Sequence, residues 1–69
     1  MEQLELSVSG MTCTGCEQRI ARALARLEGV VRSTANHQTG RVRVVFDAAR
    51  TSEGAVRSTI EQAGYEVSP

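Results

Sequence analysis

Gly10-Met11-Thr12-Cys13-Thr14-Gly15-Cys16 marks a change of period in this chain. Before it, Leu4, Leu6 and Val8 alternate with Glu5, Ser7 and Ser9, as in a strand with one buried face. After it, Ile20, Ala23, Leu24 and Leu27 fall at i, i+3, i+4 and i+7, the apolar stripe of an amphipathic helix. Gly10 breaks the strand, and the flexible Met11 side chain is suited to fold back over its end and fix the loop from below. Thr14-x-x-Glu17 reads as a capping box, in which the Thr14 hydroxyl takes an orphan helix amide and Glu17 reaches back. Cys13 is then expected in the loop before the helix and Cys16 in its first turn. Unpaired N–H groups and the positive end of the helix dipole collect there, and both favour thiolate over thiol. Two thiolates in one small loop chelate a soft metal ion, with Cu(I), Zn(II) and Hg(II) all candidates. A lone CxxC also occurs in redox motifs and as half of a zinc site. The rest of the chain has to discriminate.

Gly29 stands where a left-handed cap is expected to close the first helix. Opposite the apolar stripe, Arg19, Arg22 and Arg26 line up into a basic one. It reads either as a solvated face or as a docking surface for an acidic partner. Val30 to His37 is poor in large apolar residues but carries β-branched ones, which suits an edge strand. Asn36 to Gly40 forms a turn. Val42, Val44 and Phe46 then give the clearest alternation in the chain. Thr51 or Ser52 caps a second helix with Val56, Ile60 and Ala63 on its face and Gly64 after its end. Tyr65, Glu66 and Val67 make a short last strand before Pro69. Strand, helix, strand, strand, helix, strand predicts an α+β, ferredoxin-like βαββαβ sandwich, a four-stranded antiparallel sheet with two helices on one face.

Sixty-nine residues hold one small domain, spanning residues 1–69, whose core is thin. Two cysteines this close cannot staple it, since they close only a tiny loop. Eight basic residues, all Arg, balance eight acids. A net charge of zero argues against a general nucleic-acid or membrane-surface binder. No apolar run is long enough for a signal peptide or a membrane span, so with Met1 as the natural start the protein is expected in the cytoplasm, its thiols reduced.

The chain resembles the heavy-metal-associated domain, known as free copper chaperones and as N-terminal domains of metal-pumping P-type ATPases. The resemblance rests on Gly10-Met11-Thr12-Cys13-x-x-Cys16, on Leu27-Glu28-Gly29-Val30, on Thr39-Gly40 followed by Val42, Val44 and Phe46, and on Ala63-Gly64-Tyr65. It implies a ferredoxin-like fold and a surface-exposed metal held by Cys13 and Cys16. It also implies a non-enzymatic role, in which the metal passes by thiolate exchange to a metal-transporting P-type ATPase or another CxxC protein. The domain is expected to be a monomer without metal and able to dimerise around a shared one.

Family members selective for zinc or cadmium often place an Asp before the first cysteine, where this chain has Thr12. Two thiolates without a nearby carboxylate suit low-coordinate Cu(I) better than zinc, which wants four ligands. Mercury carriers share the Gly-Met-Thr-Cys loop, so Hg(II) stays open. Tyr65 stands where bacterial copper chaperones place a tyrosine beside the metal loop; its alternative is an aromatic core edge with a wet hydroxyl. One departure is His37, at a position where the family usually has Leu or Phe packed beneath the loop. The resemblance puts its ring near the cysteines, as a third ligand or a hydrogen-bond partner to a thiolate. A thiol–disulfide oxidoreductase is the competing class, but the thioredoxin-like scaffold needs more chain and a Pro near the loop.

Overall fold

The computed structural model describes residues 1–68; Pro69 lies outside them. The elements run β1 (Glu2–Ser9), α1 (Thr14–Ala25), β2 (Val30–Asn36), β3 (Arg41–Phe46), α2 (Glu53–Gln62) and β4 (Glu66–Val67). One sheet has the order β2-β3-β1-β4, with every neighbouring pair antiparallel. This is the ferredoxin-like sandwich that the element order requires.

Alternation along the strands divides the sheet into two faces. Leu6 and Val8 from β1 and Val42, Val44 and Phe46 from β3 point into the core. They meet Ile20 and Leu24 of α1 and Val56 and Ile60 of α2, so both helices cover the same face. Ile20, Leu24, Val42, Val44, Val56 and Ile60 are the largest fully buried side chains. The other face stays open, and there Glu5 pairs with Arg41 and Arg43 at 2.8 and 3.2 Å.

β2 lies at the edge, as its weak hydrophobicity suggests, and a bulge interrupts its pairing with β3. Val30 pairs with Phe46 and Arg32 with Val45, which leaves Val31 as the extra residue, 58% exposed. Were Val31 paired as an ordinary strand residue, the two-residue period would put Val30 on the same face as Arg32. With it, Val30 packs against the core and Arg32 stays outside.

Two terminal signals act differently from expectation. The capping box does not form: the N-cap of α1 is Cys13, with no side-chain cap bond. Glu17 is engaged elsewhere, as the site shows. Gly29 takes a positive φ of 98° as expected, but α1 has already ended at Ala25 with Arg26 as its C-cap. Gly29 instead turns the chain into β2, and a Cβ there would lie 2.9 Å from Arg50 Cβ and 3.0 Å from Thr51 Cγ2. In α2 the Ser52 hydroxyl caps the helix, accepting from the Ala55 N–H at 3.2 Å.

Candidate metal centre

The β1–α1 connection brings the two cysteines to one exposed corner. Cys13 is exposed, Cys16 half-buried in the first turn, and both are free thiols. Their sulfurs stand 3.3 Å apart. The Cys13 carbonyl accepts the N–H groups of Cys16 and Glu17, so the helix begins on the loop itself. Met11 is buried in the core cluster, which fixes the loop from beneath. Thr12 is exposed above it.

The Cys16 thiol titrates near 6, well below its ordinary value of 9.0. The first cause is the Tyr65 hydroxyl, followed by the Thr12 backbone and the Cys13 side chain. Tyr65 comes from the α2–β4 connection, is 8% exposed, and its ring runs beneath Gly10, where an added Cβ would lie 3.7 Å from it. Its hydroxyl is buried without a well-formed hydrogen bond among the described residues. The same contact with Cys16 raises the Tyr65 pKa, with burial second. The two facts agree physically: a weakly accepting neutral thiol leaves the hydroxyl unsatisfied, and a thiolate attracts its proton. Tyr65 is therefore both a core edge and a neighbour of the cysteines, and its hydroxyl is dry.

His37 does not join the sulfurs. Its backbone N–H donates to Glu17 Oε2 at 2.6 Å, and its ring Nδ1 stands 2.7 Å from the same oxygen. Both side chains are partly buried, at 29% and 23% exposure. These contacts hold the Glu17 carboxyl below its usual pKa, the backbone N–H first and the ring second. Among the described residues, no three His, Cys, Asp or Glu side chains form a group able to hold a metal. The expectation of His37 as a direct third ligand is thus replaced by a tether to the residue after Cys16. Sequence reading missed this pair because Glu17 and His37 are 20 positions apart and Glu17 had a satisfying local role in the capping box.

Arg19, Arg22 and Arg26 are all exposed. With Gly15, Gln18, Ala23 and Ala63 they line a shallow groove of about 340 Å³ that starts at the cysteine loop and follows α1. None of the three takes part in the ion pairs among the described residues.

Fold and corner together define a ferredoxin-like domain that presents a dithiol at the start of its first helix. The chain belongs to the heavy-metal-associated domain family, whose pattern it matches over residues 5–66. It is 38% identical over 66 residues to a copper-exporting P-type ATPase of Bacillus subtilis (strain 168), covering 96% of this chain and 8% of that protein. To the copper chaperone CopZ of the same organism it is 37% identical over 67 residues, covering 97% of both chains. A solved CopZ metallochaperone superposes with a TM-score of 0.94 at 31% identity, over 97% of this chain and all of the other. The chain thus spans less than a tenth of the ATPase and nearly the whole chaperone. No helix among the described residues is long and apolar enough to cross a membrane.

Proposed function

We propose that this domain carries one Cu(I) on Cys13 and Cys16 and passes it to a partner by thiolate exchange. The observation that carries the reading is the donor set: two free sulfurs 3.3 Å apart, with the Cys16 thiol titrating near 6. The lowered Cys16 pKa favours the thiolate, the form that binds a metal. A site of two soft donors with no third ligand fits a low-coordinate soft ion and falls short of the four ligands zinc wants. Likeness to CopZ and to a copper-exporting ATPase supports the same cargo.

Transfer needs no bond made or broken within a substrate, which is why the domain is not read as an enzyme. A thiolate of the partner adds to the metal, one of the two cysteine sulfurs leaves, and repetition moves the ion across without releasing it. The exposed Cys13 is the sulfur an incoming thiolate meets first. A metal-transporting P-type ATPase or another CxxC protein is the partner that fits this exchange. Arg19, Arg22 and Arg26 would guide an acidic surface along the groove towards the loop. The cytoplasm, where thiols stay reduced, is the compartment that suits the chemistry, and the domain is read as a monomer that can pair around a shared copper.

Competitive binding of Cu(I), Hg(II) and Zn(II) under anaerobic reducing conditions, with metals counted by mass spectrometry, tests the proposal. One Cu(I) per chain is expected, abolished as tight binding in Cys13→Ser and in Cys16→Ser while the circular dichroism of both stays that of the folded protein. Unchanged copper affinity in either variant overturns it. Preference for Hg(II) or Zn(II) when all three compete would move the assignment to that cargo, and catalytic disulfide exchange without metal would favour the oxidoreductase.

A further inference from the structure

Glu17 occupies a position where a free carboxylate would be a hazard to a soft-metal site. It follows Cys16 directly and stands four residues after Cys13, whose carbonyl accepts its N–H at 3.2 Å. Residues at i and i+4 share one helix face, and helical side chains lean towards the N-terminus. An untethered Glu17 would lean towards Cys13, drawn by the positive end of the helix dipole. A carboxylate there would add a hard oxygen to two thiolates, and oxygen donors favour zinc over Cu(I). The tether prevents this, because the backbone N–H and the ring of His37 both bind Glu17 Oε2.

We infer that His37 is a specificity-determining positioning residue: by binding Glu17 it keeps that carboxylate off the dithiol, so the site offers sulfur alone. The inference rests on the proposed metal site and deepens it. The contacts are 2.6 and 2.7 Å, in the range of strong charge-assisted hydrogen bonds, so the partnership competes well with a helix-end position. It also engages the carboxylate that a capping box on Thr14 would use; the N-cap is instead Cys13, one residue earlier, and its side chain makes no cap bond.

A double-mutant cycle on the intact chain tests it. Wild type, His37→Ala, Glu17→Gln and the double variant are titrated with Zn(II) and Cu(I) against competing chelators, and with Co(II) as a spectroscopic probe. In His37→Ala the ring bond is lost while the N–H of residue 37 can still donate. Zn(II) affinity is therefore expected to rise about threefold to tenfold, at or below the lower end of what neighbours of metal ligands exert. Its Co(II) complex is expected to gain an oxygen donor, seen as a shift of the ligand-field bands at unchanged thiolate charge-transfer intensity. Cu(I) affinity stays as in wild type. Glu17→Gln and the double variant bind Zn(II) like wild type, since neither holds a carboxylate to release. The Glu17→Gln change is conservative at a partly buried site, so that arm of the cycle stays readable if His37→Ala loosens the turn. Unchanged Zn(II) affinity in His37→Ala, or an equal rise in the double variant, overturns the inference. A wild type that binds no Cu(I) would instead sink the proposed function and leave the Zn(II) comparison intact as a test of the tether.

Discussion

Tyr65 places a hydroxyl in a dry position with no well-formed partner, a situation that costs about 1–3 kcal/mol when nothing compensates. Cys16 compensates only as a thiolate. Tyr65→Phe should therefore behave differently on the two sides of the Cys16 titration. Below pH 6, where Cys16 is a thiol, the variant sheds an unsatisfied group and its apo form should melt at a higher temperature than wild type. Above it the advantage should shrink or reverse, because wild type then gains the hydroxyl–thiolate contact. The sign follows from linkage: the folded thiol titrates below its ordinary value, so its stabilising contribution is complete above the unfolded pKa and is lost as pH falls through about 6. Alkylation at Cys16, mapped by mass spectrometry, reads the same property directly. Its rate in the apo protein should rise with a midpoint near pH 6, and Tyr65→Phe should move that midpoint upward while the Thr12 and Cys13 contributions keep it below the ordinary thiol value. A midpoint indifferent to the substitution would remove Tyr65 from the first place among the causes.

At the level of elements, the strands and helices were readable because each has one buried face, and burial writes its period into the residues. Leu6 and Val8, Val42, Val44 and Phe46, Ile20 and Leu24, and Val56 and Ile60 all reach the core as their spacing requires. The ends were less readable, because an end is decided by competition among partners. Ser52 caps α2 as expected, and Ser52→Ala should cost about 1 kcal/mol, measurable by urea unfolding. Glu17 had an equally good local sequence and was taken by His37 from across the chain. Gly29 shows a third outcome: its positive φ was legible, but the feature it serves is a crowded crossing beside Arg50 and Thr51, not a helix cap. Gly29→Ala should lose about 1–2 kcal/mol to the left-handed backbone alone and more to the short Cβ contacts. Equal stability of that variant and wild type would mean that the crossing gives way cheaply. The cysteine pair was legible as a motif. The hydroxyl that depresses Cys16 and the tether on Glu17 were not, since each depends on a contact between distant segments.

For the molecule as a whole, zero net charge hides an uneven surface. Three arginines outside the ion pairs among the described residues line the groove beside the dithiol, while Arg41 and Arg43 are engaged by Glu5 on the opposite face of the sheet. If the groove receives the partner, copper transfer to an acidic-faced acceptor should slow as ionic strength rises, since screening reaches roughly 10 Å at 0.1 M salt. Reversing Arg19 and Arg22 to Glu should slow association by stopped-flow and leave the affinity for Cu(I) alone. Transfer rates indifferent to both changes would return the stripe to plain solvation.

The extra residue in β2 has a consequence for solubility. An edge strand of seven residues is long enough to recruit another edge and grow into a filament. The irregularity at Val31 breaks the straight row of amides and carbonyls that a foreign strand would have to match. Deleting Val31 should restore a regular pairing, with Val30 still inward and Arg32 outward, straighten the row, and leave a template for uncontrolled growth. Thioflavin fluorescence and light scattering should then rise on storage under conditions in which the native chain stays clear. What looks like a flaw in the sheet is, in this light, its stopper.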